Sequence, residues 1–189
     1  MEFSSVSISE DYFRELSALL EGAKTPNKLY ETVVNAPFHD LHKTTLLGLG
    51  IVVLLLVNKK NRTIDRIALA NTEMARGTEE MSSKPFKEIK IPVTYTQNFI
   101  AKAIKEQHYM ITSDWQYIFN PALSPEEARF NQAGGSISCS VIYPLKKVGD
   151  GGAIIFSFYE NINRIGKTHH NFMSRYSVLV SQALRKLES

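Results

Sequence analysis

LLGLGIVVLLLV, residues Leu46–Val57, carries no charge and no polar side chain, and it ends abruptly at Asn58-Lys59-Lys60-Asn61-Arg62. A bilayer-spanning helix needs about 20 apolar residues, so this run is too short to cross a membrane. Its β-branched centre (Ile51, Val52, Val53), its two glycines and the turn-forming segment after it favour a strand buried on both faces. The run reads as the central strand of a sheet. It turns at Asn58–Arg62 into a half-buried second strand, Thr63–Asn71, in which Ile64, Ala68 and Ala70 alternate with Asp65, Ile67 and Leu69.

Upstream, Ser7-Ile8-Ser9-Glu10 offers a capping box, and Tyr12, Phe13, Leu16, Leu19 and Leu20 form one apolar helical stripe that ends at Gly22. Thr25-Pro26 starts a second helix, with Leu29, Tyr30, Val33 and Val34 on its buried face and Pro37 interrupting it. His39 and His42 flank Asp40, but two imidazoles do not make a site for a metal that usually takes three protein ligands. Adjacent His169 and His170 point about 100° apart on a helix. These histidines read as exposed or capping groups, and no metal is expected.

Downstream, the polar segment Thr72–Lys84 reads as a mobile loop with at most a short helical turn, and Phe86–Val93 as a third strand held to a sheet edge by Pro92. Thr94-Tyr95-Thr96-Gln97 fits a capping box for a helix bearing Phe99, Ile100, Ala103 and Ile104 and closed by His108. Met110–Trp115 is a short extended stretch followed by an aromatic loop. Ser124-Pro125-Glu126-Glu127 is the clearest helix start in the chain, and that helix stops at Gly134-Gly135. Ser136–Val148 and Gly152–Tyr159 are strands joined by Gly149-Asp150-Gly151, strong hairpin chemistry. A last helix carries Phe172, Tyr176, Leu179, Val180, Ala183, Leu184 and Leu187 on a broad stripe.

With 189 residues, 43% of them hydrophobic, the chain can bury one sizeable core. It divides into an N-terminal amphipathic helix over residues 1–24 and a domain over 25–189 with a long terminal helix. Its 22 basic against 19 acidic residues leave +3, too small an excess to argue for a nucleic-acid partner, and the clusters Lys59–Arg62 and Lys146-Lys147 read as solvated hairpin ends. One cysteine, Cys139, excludes an internal disulfide. The start, MEFSSVSISEDYF, lacks the basic and apolar stretches of a secretory signal, so a cytoplasmic protein without a membrane partner is expected.

Hairpins rather than helical crossovers join most neighbouring strands, which defines an α+β fold with an antiparallel sheet. PAS, profilin-like and GAF domains all fit at that level. Specific strings favour the last. Phe99–Glu106 (FIAKAIKE) followed by Met110-Ile111-Thr112-Ser113-Asp114 resembles the GAF helix and the short strand ending in aspartate. Ser138–Leu145 (SCSVIYPL) is similar to the GAF strand that ends in Pro-Leu before a hairpin. Gly152-Ala153-Ile154-Ile155-Phe156 stands where the next strand begins with glycine, and the closing helix matches the family's terminal helix. The resemblance runs from about Thr25 to Leu187.

It implies a sensory module with about six antiparallel strands, helices packed on one face and a small-molecule pocket on the other. Transferred onto matching positions, it points to Asp114, Trp115, Ser138, Cys139, Ser140 and Phe99 as pocket residues. Local reasoning adds Tyr95, Tyr117 and Arg129, which sit in capping segments that would rim such a pocket. Each has a structural reading beside it: Asp114 as a turn cap, Trp115 as core, the alternating serines as solvent-facing, Cys139 as a small buried residue.

Among GAF activities, covalent bilin attachment is disfavoured because Cys139 lies within a strand between serines and beside no histidine. One cysteine cannot form the disulfide of the free methionine sulfoxide reductases. Asn58-Lys59 opens the cyclic-nucleotide signature, but no Phe-x-x-x-Asp-Glu follows. No phosphate loop, nucleophile elbow or paired metal motif is present. The expectation is a non-enzymatic GAF-like module, with no cofactor, that binds an unidentified small molecule and signals through its terminal helices, whose stripes also invite a homodimer seam. The competing readings are a ligand-free structural or protein-interaction domain, and an enzyme on the same fold.

Overall fold

A computed structural model describes residues 8–39, 48–146 and 148–188. The expectations at Ser7, Asp40, His42, Leu46, Leu47 and Lys147 lie outside these residues. Strands β1 (Leu49–Asn58), β2 (Thr63–Leu69), β3 (Ile91–Pro92), β4 (Met110–Thr112), β5 (Cys139–Leu145) and β6 (Gly152–Phe158) form one antiparallel sheet in the order β3-β2-β1-β6-β5-β4. The described helices of four or more residues are α1 (Glu10–Gly22), α2 (Pro26–Asn35), α3 (Glu73–Glu80), α4 (Phe99–Glu106), α5 (Gln116–Phe119), α6 (Pro125–Gly134) and α7 (Lys167–Glu188).

The apolar run has the double burial its composition requires. Leu49, Val52 and Leu54 of β1 enter the core on one face of the sheet, and Ile51, Val53 and Leu55 enter it on the other. β6 pairs along one edge of β1 from Leu49 to Leu56, β2 joins the other edge from Val53 onward, and Leu49–Leu55 are buried throughout, so a polar residue there would have nowhere to go.

The first face is covered by α1, α2 and α7. Tyr12, Phe13, Leu16 and Leu20 of α1 and Phe172, Tyr176, Val180 and Leu184 of α7 are buried there, while Leu19 is exposed. The Arg175 guanidinium carbon stands 3.8 Å from the centre of the Phe13 ring, and its two terminal nitrogens bond Glu10 at 2.7 and 2.6 Å. Tyr176 reaches through this layer to donate to the Val33 carbonyl at 2.8 Å. The N-cap of α1 is Ser9, which accepts from the Tyr12 N–H, two residues later than the expected box.

The second face carries α3 to α6, so the side expected to hold a pocket also has a helical roof. Four local expectations are corrected here. Residues 72–84 contain a true helix, α3, because the Thr72 hydroxyl accepts from the Ala75 N–H and caps it. The third strand shrinks to Ile91–Pro92, with a 3-10 turn at Phe86–Glu88, although it is indeed the sheet edge. The cap of α4 is Asn98, whose side chain accepts from Ile100 and Ala101, and the helix ends at Glu106 with Gln107 left-handed.

The fourth correction is the alternation on β2. The β1–β2 register slips between Leu54, opposite Ala68, and Leu55, opposite Arg66. One extra residue in a strand transfers everything beyond it to the other face. Arg66 therefore shares the second face with Ile64 before the slip and Leu69 after it, whereas Ala68 and Ala70 face the first.

Candidate functional site

A narrow hollow opens on the second face. Its floor is Ile51 and Val53 of β1, Arg66 and Leu69 of β2, and Ile155 and Ser157 of β6. Its walls and roof are Thr78 and Glu79 of α3, the following Ser82, Phe86 and Ile89, then Trp115, Ile118 and Phe119, and Asn131 of α6. It holds about 460 Å³ of empty space, mouth included, of which about 40 Å³ can take the centre of a water-sized molecule. That is enclosed room for roughly three waters.

The polar walls are mostly satisfied. Trp115 Nε1 donates to Ser140 Oγ at 2.8 Å, and Ser140 and Ser157 share a hydrogen bond of 2.7 Å. Asn131 is best oriented with its amide nitrogen donating to the Met81 and Glu127 carbonyls and its oxygen accepting from Ser82. Arg66 differs. It is buried, yet Nε and Nη2 of its guanidinium have no hydrogen-bond partner, and burial drops its pKa to about 9. It is flanked instead by aromatic rings, with the guanidinium carbon 4.3 Å from the Phe119 centroid and 5.8 Å from that of Phe86.

Of the nine residues expected at a pocket, Trp115 lines this one and Ser140 supports it from behind. Asp114 sits outside as the hub of the neighbouring turn. It accepts from Arg129 Nε and Nη2 at 3.1 and 2.8 Å and from the Gln116 backbone and side-chain amides at 3.0 and 2.9 Å. Partial burial alone would push its carboxyl up, but the Arg129 and Gln116 bonds outweigh this and hold it below the usual value. Tyr117 stacks on Phe99 at 4.9 Å away from the hollow, and the Tyr95 hydroxyl donates to Gln97 at 3.1 Å.

Ser138 is exposed and donates to the Tyr159 carbonyl at 3.0 Å. Cys139 faces the opposite core, where burial pushes its thiol up to about 11. Consecutive strand residues point to opposite faces, so Ser138, Cys139 and Ser140 could not all have met in one pocket. Two residues were not singled out from sequence. Gln132 ties the site together by accepting from the Trp115 N–H at 2.9 Å and donating to the Ser113 and Ile137 carbonyls at 2.9 and 3.0 Å. Arg66 was the other, and its signal was a charge at an inward position of a half-buried strand.

Among the described residues, no three His, Cys, Asp or Glu side chains stand where they could share a metal ion, and no helix is long and apolar enough to cross a membrane. No family model and no curated protein matches the chain. Solved structures do. The GAF domain of a phosphoenolpyruvate-protein phosphotransferase from Coxiella burnetii superposes with a TM-score of 0.64 at 10% identity, covering 98% of this chain and 97% of that one. The GAF domain of the cyanobacteriochrome TePixJ gives 0.59 at 15% identity over 89% and 94%. A free methionine-R-sulfoxide reductase from Neisseria meningitidis, solved with its substrate, gives 0.56 at 11% over 100% and 98%. The chain has the fold of a GAF domain, as its strings implied.

Proposed function

We propose that this chain is a non-enzymatic GAF-type sensory module, acting in the cytoplasm, that binds a small molecule in the hollow beneath α3, α5 and α6. The observation that carries the reading is the hollow itself, an apolar slot with a few convergent polar groups on the second face of a GAF-type sheet. A route from slot to terminal helices is supported by β6. Ile155 and Ser157 line the slot, while Phe156 between them packs edge-on against Phe172 and Tyr176 of α7, at 6.4 and 6.3 Å between ring centres. A ligand that shifts β6 thereby acts on α7, and on α1 through Arg175.

The stripes of α1 and α7 are largely spent within the chain, and Leu19 and Val178 are the large apolar residues they leave exposed. A homodimer through these helices would rest on such positions, and light scattering after size-exclusion chromatography decides it: a monomer at every concentration removes the dimer.

A second reading, a ligand-free interaction domain, is favoured by how little room the slot encloses. Native mass spectrometry of freshly purified protein separates the two. A retained small molecule, lost from Trp115→Ala with the fold intact by circular dichroism, supports the sensor. A bare chain that no small molecule stabilises against heat leaves the interaction domain.

A further inference from the structure

Arg66 is the feature that the architecture alone does not explain. A buried ionised group without a partner is costly, and removing such a charge or pairing it is normally favourable. Among the described residues no carboxylate pairs with this one; Glu79, the acidic side chain at the slot, is exposed at its mouth. The two free nitrogens are not an arbitrary pair. Nε and Nη2 form one edge of the guanidinium plane, the same edge with which Arg129 engages Asp114. That edge presents two parallel N–H donors at the spacing of two carboxylate oxygens.

Among the described residues, no other cationic side chain lines the slot: its polar residues are Thr78, Glu79, Ser82, Asn131 and Ser157, and Ile51, Val53, Ile118 and Ile155 give it an apolar patch. One guanidinium balances one negative charge, which suits a monoanion better than a phosphate dianion. The deep part of the slot takes about three waters, and with the mouth included its empty space of about 460 Å³ leaves room for a carboxylate with a short hydrocarbon body, not for a large ligand.

Resting on the sensor reading, we infer that the ligand is a small aliphatic carboxylic acid, its two oxygens taken by the Nε and Nη2 edge of Arg66 and its hydrocarbon end by the isoleucine-lined floor. Phe86 and Phe119 hold the guanidinium plane in place while the site is empty, and the acid supplies the missing charge when it arrives.

The test measures thermal stability and calorimetric binding for the full chain and for Arg66→Met and Arg66→Lys. The probes are propionate and butyrate, their neutral counterparts propionamide and butyramide, and inorganic phosphate, all at millimolar concentration. The expected result is a rise in melting temperature with the acids only. Arg66→Met should melt no lower than the native chain without ligand and bind the acids roughly tenfold to a hundredfold more weakly, the worth of a hydrogen bond to a charged group.

If Arg66→Met fails to fold, Arg66→Lys decides the matter, since it keeps the charge without the planar edge and must also lose affinity. Amides that bind as well as acids, phosphate that binds as well, or acids that bind an Arg66 variant undiminished would each overturn the assignment while leaving the sensor reading in place. Silence from every probe also overturns it. The sensor reading then stands or falls separately, on whether the purified chain carries a neutral molecule in native mass spectrometry.

Discussion

The indole nitrogen of Trp115 lies 2.8 Å from the Ser140 hydroxyl, which in turn lies 2.7 Å from the hydroxyl of Ser157. All three residues are buried, so the chain of bonds replaces water and fixes the wall of the slot to the start of β5 and the paired end of β6. Ser140→Ala strands the indole N–H in an apolar setting, a loss of about 1–3 kcal/mol. Denaturant melts measure it, and an unchanged midpoint would remove Ser140 from the wall.

The roof depends on a close crossing of α3 and α6. A Cβ at Gly77 would stand 2.3 Å from the Gly134 carbonyl oxygen, and one at Gly134 would stand 2.5 Å from that of Gly77. Neither backbone has room to yield alone. Gly77→Ala should therefore destabilise the chain by about 1–3 kcal/mol, the usual cost of overpacking. It should also weaken ligand binding, because the roof must lift. A fully stable variant with native binding contradicts this crossing.

Glu127 gives the acid limb of the stability curve a definite sign. Hydrogen bonds from Ser83 and from the Ser124 backbone and hydroxyl lower its pKa from 4.5 to about 2. A carboxylate depressed in the folded state contributes stability that is complete above its unfolded value and is lost as pH falls through the folded one. Glu127→Gln should melt below the native chain at neutral pH, with the gap closing between about 4.5 and about 2. A gap independent of pH assigns the effect to packing.

Arg175 fastens α1 to α7 through Phe13 and Glu10. Arg175→Ala should raise amide hydrogen exchange across Glu10–Gly22 while leaving β1 and β6 protected. Unchanged exchange in α1 means that its apolar stripe and the Glu21–Lys186 ion pair hold it without Arg175.

Elements whose burial follows one periodic rule were legible in the sequence. Leu49–Val57 had to be a strand because no polar residue interrupts it, Ser124-Pro125-Glu126-Glu127 folds as the box it spells, and Gly149-Asp150-Gly151 closes a hairpin. The helix α3 was hidden because its buried residues are Ala75 and Thr78, too small and too few to draw a stripe through charged neighbours. The slip opposite Leu54 and Leu55 hid the faces of Ala68, Leu69 and Ala70, and with them the fact that Arg66 and Leu69 share the floor of the slot. Asp114 and Arg129 are both conspicuous in the sequence, but their pairing joins residues 15 apart and keeps both outside the slot lining, which no local pattern spells.

The chain contains a single tryptophan, and it stands in the wall of the slot. Its fluorescence is therefore a built-in gauge of one location, free of overlapping signals and needing no label. Followed beside far-ultraviolet dichroism during denaturation, it tells whether the chamber comes apart before the sheet beneath it or together with it.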